Sequence, residues 1–116
     1  MKTNIMETKA KDIVLKFLNA LNTENFEAAR DALDDNMQFN GVMGSRDGAE
    51  NYIKDMSKMR FKYDVLKVFE NENDVSVFYD INMNGKKIFT SGWYVVQNEK
   101  IKSLRVVFDP RPLLEK

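Results

Sequence analysis

Asp80 is a lone carboxylate in the apolar run VSVFYDINM. An isolated charge in such a strand needs a partner, water or a raised pKa. The chain has no histidine and no cysteine. That removes Ser-His and Cys-His nucleophile pairs, thiolate chemistry and disulfides, and leaves none of the usual zinc ligands. No metal and no cofactor is expected. Carboxylates, hydroxyls and amides remain. Any catalysis would be proton transfer or water addition, with Asp80 as the acid/base. The competing reading of Asp80 is a solvated carboxylate beside Lys87 at a pocket mouth. Trp93, Ser91, Phe78, Phe89 and Phe108 accompany it as candidate ligand contacts: an indole N–H, a hydroxyl and three apolar walls.

The elements that must position these residues come from DVSVFYDINMNGKKIFTSGWYVVQNEKIKSLRVVFD, residues 74–109, which reads as three strands joined by tight turns. Asn84-Gly85 suits a type I′ turn, whose two central residues need positive φ. A two-residue loop there pairs Met83 with Lys86, Ile81 with Ile88, Tyr79 with Thr90 and Val77 with Gly92. The second turn, Asn98-Glu99, pairs Gln97 with Lys100 and, in unbroken register, Tyr94 with Ser103 and Gly92 with Arg105. Alternation then gives two faces. One holds Val75, Val77, Tyr79, Ile81, Ile88, Thr90, Tyr94, Val96, Ile101, Ser103, Arg105, Val107 and Asp109. The other holds Ser76, Phe78, Asp80, Asn82, Lys87, Phe89, Ser91, Trp93, Val95, Leu104, Val106 and Phe108. Both are substantially apolar, so both are expected to be covered. Gly92 marks a position where the strand can bend or bulge.

The 116 residues fit one domain, expected over residues 8–116 after an arm at 1–7. Lys plus Arg and Asp plus Glu each number 18, so nothing favours nucleic acid or an anionic membrane. The opening MKTNIMETKAK has no apolar run, and no segment approaches the roughly 20 apolar residues of a membrane span. A cytoplasmic location is expected. Before the central stretch, the spacing predicts a helix near 8–22 capped by Thr8 and a second starting at Thr23 and ending at Asp34-Asp35-Asn36. A short strand at 37–40 and a third helix, capped by Ser45 or Asp47 and running to Met59, follow. Residues 61–69 read as a long strand. Pro110 and Pro112 stop the last strand, with Leu113 and Leu114 folding back. The order α-α-β-α-β-β-β-β describes an α+β domain with helices on one face of an antiparallel sheet.

This order resembles the NTF2-like superfamily, most closely its SnoaL-like (polyketide cyclase/ketosteroid isomerase-like) branch. Three strings carry the resemblance: FLNALNTENFEAARDALDDNMQFNG, DGAENYI and EKIKSLRVVFD. In the last of them, Glu99 stands where the family usually has glycine. The resemblance implies a cystatin-like cone: a strongly curved antiparallel sheet wrapped around helices, with a pocket at the wide end and, in many members, a dimer through the outer sheet face. It implies that Tyr52, on the third helix, lines the pocket. Ketosteroid isomerases use a first-helix tyrosine, an aspartate base and a protonated strand aspartate. The matching positions here are Phe17, Asn40 and Ser91, so that mechanism is not expected, though all three remain candidate ligand contacts. Dehydratase-like members need histidines, which are absent. Epoxide-hydrolase-like members use an Asp-Arg-Asp set; Asp80, Arg105 and Asp109 have the right types but fall on different faces. In the isomerases, the positions of Ser91, Leu104, Val106 and Phe108 face inward. That makes the Asp80 and Trp93 face the expected interior. The Tyr79, Thr90, Tyr94 and Arg105 face becomes the expected homodimer surface.

Fold does not dictate function, and two readings follow. One is a pocket for a small apolar or polyketide-like molecule, with or without proton-transfer chemistry. The other is a non-catalytic dimeric scaffold whose cone is filled by Phe17, Phe39, Phe78, Phe89, Trp93 and Phe108.

Overall fold

A computed structural model describes residues 9–114; the arm at 1–7 and the Thr8 cap lie outside the described residues. Helix α1 spans Ala10–Asn22 and buries Ile13, Val14, Phe17, Leu18 and Leu21, the apolar stripe that its 3.6-residue period lays on one side. Helix α2 covers only Phe26–Asp31, capped by Asn25, whose side-chain oxygen accepts from the Ala28 N–H. Thr23 instead ends α1, its hydroxyl donating to the Asn19 carbonyl at 3.0 Å. A β-strand, β1, begins already at Leu33 and runs to Gly41, through the Asp34-Asp35-Asn36 segment expected to close the helix. Strand β2, Gly44–Asp47, occupies residues expected to be loop and cap. Helix α3, Ala49–Met59, buries Ala49, Tyr52 and Met56.

Strands β3 (Lys62–Asn71), β4 (Asp74–Met83), β5 (Lys86–Gln97) and β6 (Lys100–Phe108) follow, and a short helix α4 spans Arg111–Leu114. The six strands form one curved, unclosed sheet in the order β2-β1-β6-β5-β4-β3. It is mixed: β1 pairs with β6 in parallel, and the other pairs are antiparallel. The expected all-antiparallel sheet is corrected at that one seam. The chain passes from β1 through α3 and four more strands before β6 returns beside it, and a long connection of that kind permits a parallel pair.

The β4–β5 register is the one read from the Asn84-Gly85 turn, down to Val77 opposite Gly92. Both turn residues have positive φ, 55° and 85°. The β5–β6 register starts as expected, Gln97 with Lys100 and Val96 with Ile101. It then shifts, so that Val95 meets Ser103, Tyr94 meets Leu104 and Gly92 meets Val106. Lys102 is the extra residue of a β-bulge. Gly92 is therefore not the irregular position; its inner-face side has no room for a Cβ, which would lie 2.3 Å from the Tyr79 hydroxyl.

The inner face is the reverse of the expected one. Val75, Val77, Tyr79, Ile81, Ile88, Thr90, Tyr94 and Val96 are buried, with α1 packed across them. Phe78, Phe89 and Trp93 point outward, Trp93 being 50 % and Phe89 60 % exposed. The bulge explains the error. An unbroken register puts Arg105 and Asp109 on the Tyr94 face and makes it look like the polar one. One extra residue moves Leu104, Val106 and Phe108 onto it instead, and the face loses Arg105 and Asp109.

Candidate functional site

A cavity of about 400 Å³ opens between the inner sheet face, α1 and α3. Its deep walls are Phe17, Tyr79, Tyr94 and Leu104, all essentially inaccessible to solvent. Its mouth is rimmed by Val42 and Met43 in the β1–β2 turn, by Met59 at the end of α3 and Phe61 just before β3, and by Leu113 on α4. Exposed apolar side chains around the opening, Met43 and Met59 among them, make it greasy as well as accessible. The charged residues of the lining are Arg46 and Asp55, and they pair with each other, Nε to Oδ2 at 2.9 Å.

Tyr52, Tyr63, Tyr79 and Tyr94, which are all four tyrosines of the chain, line this cavity. They come from α3, β3, β4 and β5, and the sheet's curvature brings them together. The Tyr79 and Tyr94 hydroxyls lie 2.8 Å apart, hydrogen-bonded to each other. The Tyr63 hydroxyl reaches the Met56 sulfur at 3.8 Å, and the Tyr63 and Tyr79 rings pack with centroids 5.5 Å apart. Phe39 covers Tyr52 at 5.0 Å, and Phe17 meets Tyr94 edge-on at 6.5 Å. Burial raises the pKa of every one of these phenols, and for Tyr52, Tyr63 and Tyr94 repulsion between the charged forms adds to it. Tyr79 is pushed up to about 12 by burial, its hydrogen bond to Tyr94 working the other way. At neutral pH the four are uncharged hydroxyls: hydrogen-bonding groups, with no base among them.

Of the candidate residues read from the sequence, Phe17, Tyr52 and Phe108 line the cavity. Asp80, Phe78, Phe89, Ser91 and Trp93 do not; they lie on the outer sheet face. The Trp93 N–H is spent on Asp74, Nε1 to Oδ1 at 2.9 Å. Asp80 stands directly across from Asp64. Asn40 is exposed, on the opposite side of β1 from Phe39 and Gly41, which do line the cavity. The inward neighbours of Asn40 and Ser91, Phe39 and Thr90, are not carboxylates either, so the isomerase constellation is missing in the observed register too. The epoxide-hydrolase set is not assembled at the cavity: Asp109 binds Arg111 at 2.6 Å, and Arg105 is exposed on the outer face. Met43, Met56 and Met59 line the cavity, whereas Met37 is fully buried elsewhere in the core. Phe78, Phe89 and Trp93 cannot fill the cone from outside it. Among the described residues, no three carboxylates lie close enough to hold a metal ion.

Tyr63, Tyr79, Tyr94 and Arg46 were missed, although one signal for Tyr79 and Tyr94 was present. Over β4 and β5 the set Val75, Val77, Tyr79, Ile81, Met83, Lys86, Ile88, Thr90, Gly92, Tyr94 and Val96 has a single charge, Lys86 at the hairpin end, while the alternate set carries Asp74, Asp80 and Lys87. A buried sheet face avoids unpaired charge.

Curved sheet, cone, helical cover and apolar cavity together define a class, and the chain belongs to the NTF2-like superfamily. An NTF2-like protein of unknown function from Cytophaga hutchinsonii is 56 % identical, with 99 % of this chain matching 100 % of that one at a TM-score of 0.92. An epoxide hydrolase of the LEH-like type from M. tuberculosis shares the fold at 20 % identity, covering 90 % of this chain and 86 % of its own with a TM-score of 0.78. A de novo designed protein with a curved β-sheet does so at 24 % identity, covering 88 % and 86 % with a TM-score of 0.74. Likeness at this level shows the architecture, and architecture does not dictate activity. No family model and no curated protein matches the sequence. No described helix is long and apolar enough to cross a membrane.

Proposed function

We propose that this protein binds a small, predominantly apolar molecule in the cone cavity and holds it without covalent chemistry of its own. The observation that carries the reading is the lining: apolar and aromatic side chains, with Arg46 and Asp55 neutralising each other at the rim. Sites of a few hundred Å³ with sparse polar groups are typical of small-molecule binding. Proton transfer or water addition needs a base within reach of the ligand. Asp80, the earlier candidate, lies across the sheet from the cavity. A cytoplasmic location suits a cysteine-free chain.

The test uses the neutral apolar fluorophore N-phenyl-1-naphthylamine. Its emission should rise on binding, and Val106→Phe, which fills the cavity, should weaken binding by about tenfold or more, a difference of roughly 1.4 kcal/mol. No rise, or equal binding by a folded Val106→Phe, would overturn the reading.

A second observation supports assembly. Phe69, Phe78, Phe89, Trp93 and Val107 are exposed on the outer sheet face, with edge-to-face contacts from Phe69 to Phe78 and from Phe78 to Phe89 at 6.2 Å. Apolar patches of this kind mark interaction sites. We propose a second copy of this chain as the occupant. Charges of both signs frame it, Asp64 and Asp80 among Lys62, Lys67 and Lys87 on one side and Arg105 on the other, so a two-fold partner can pair unlike charges around the apolar centre. The expected homodimer surface therefore keeps Arg105 but exchanges Tyr79, Thr90 and Tyr94, which are core residues, for the exposed aromatics. Sedimentation at micromolar concentration should show a dimer that Phe89→Asp splits; a wild-type monomer would refute this.

A further inference from the structure

We propose that the cavity selects an uncharged ligand carrying a carbonyl or similar neutral acceptor oxygen, received at its deep end by the Tyr52, Tyr79 and Tyr94 hydroxyls. This rests on the binding reading above and adds the chemical class of the ligand.

Proton counting carries the first step. Tyr79 and Tyr94 bring two O–H protons, and their mutual bond at 2.8 Å uses one. The other is left without a partner among the described residues. The Tyr52 hydroxyl makes no hydrogen bond to a described residue either. Yet no buried side-chain polar atom among them lacks a partner. The Tyr52 oxygen must therefore open onto the cavity that its side chain lines. An unmade donor in an apolar space is costly, and a ligand oxygen that accepts it removes that cost. Two donors from different elements, α3 and the β4–β5 pair, converge on the same space.

The second step excludes charge. A carboxylate entering the cavity would leave water for hydroxyls alone. The nearest cation in the lining, Arg46, is held by Asp55 at the rim, so the carboxylate would not recover its desolvation. An ammonium would find no carboxylate free to meet it. A neutral carbonyl loses little on entering and gains the waiting protons. Gly92 belongs to the same device: a side chain there would occupy the place of the Tyr79 hydroxyl, 2.3 Å from the would-be Cβ.

A matched series with one apolar body tests this: 2-acetylnaphthalene, 2-ethylnaphthalene and 2-naphthoate, titrated calorimetrically against the full chain at pH 7. The ketone should bind about tenfold tighter than the hydrocarbon, and the carboxylate weakest. Tyr52→Phe and Tyr94→Phe should each weaken the ketone by about three- to tenfold while leaving 2-ethylnaphthalene unchanged. A loss of fold would weaken both ligands alike, so the ratio separates the two causes. Equal binding of ketone and hydrocarbon, or a ratio untouched by both variants, would overturn the inference and leave the binding reading standing. Tightest binding by 2-naphthoate would overturn it as well. Binding of none of the three would remove the binding reading itself.

Discussion

Replacing Gly92 by alanine should cost far more than one methyl group suggests. Gly92 sits mid-strand on the inner face of β5, and its φ is not in the left-handed region, so alanine can adopt the backbone. The trouble is space. A Cβ would stand 2.3 Å from the Tyr79 hydroxyl oxygen, and 3.1 Å from both Tyr79 Cζ and Tyr94 Cε1. Ordinary contacts lie near 3.5 Å, so the Tyr79 hydroxyl must retreat by about 1 Å. Tyr79 is fully buried and bonded to Tyr94, which leaves it nowhere cheap to go. Overpacking of this kind costs about 1–3 kcal/mol, and weakening the hydroxyl pair adds about 1 kcal/mol. Glycine's greater unfolded-state freedom returns about 0.5–1 kcal/mol to the alanine variant. The net expectation is a loss of about 1–3 kcal/mol in urea unfolding followed by far-UV circular dichroism. Tyr79→Phe removes the colliding oxygen. In that background the same substitution should cost at least about 1 kcal/mol less, a coupling that a double-mutant cycle reads directly. Wild-type stability for Gly92→Ala, or the same cost in both backgrounds, would refute the reasoning.

Three further outcomes are expected. Glu99→Gly should raise stability by about 1 kcal/mol, because Glu99 holds φ at 62° in the β5–β6 turn, a region costly to any residue with a Cβ; a lower melting temperature would contradict it. Stability should fall as pH climbs from about 10 to 12, because the unfolded Tyr79 ionises near 10 while the folded one holds its proton up to about 12. That stabilisation is fully present below pH 10, and its loss amounts to about 3 kcal/mol for this residue; unfolding curves that superimpose across this range would be inconsistent with buried phenols. Asp80→Asn should leave N-phenyl-1-naphthylamine affinity within about twofold, its side chain being on the far face of the sheet; a marked loss would mean that the faces are assigned the wrong way round.

Much of the architecture could be read from local chemistry. Asn84-Gly85 demanded a tight hairpin, and its register runs unbroken from Met83–Lys86 to Val77–Gly92, because positive φ at consecutive residues permits few alternatives. The apolar spacing of α1 and α3 identified Phe17 and Tyr52 as inward-facing, since a helix shows one face to the sheet. What local chemistry could not supply was the Lys102 bulge. A single extra residue has no composition of its own, yet it reverses which side chains of β6 join those of β5. That one step exchanged inside for outside and turned Asp80 and Trp93 from pocket residues into surface ones. The tyrosine cluster likewise exists only in three dimensions. Tyr52, Tyr63, Tyr79 and Tyr94 have no common spacing along the chain, and it is the curvature of the sheet over α3 that brings their hydroxyls to one cavity.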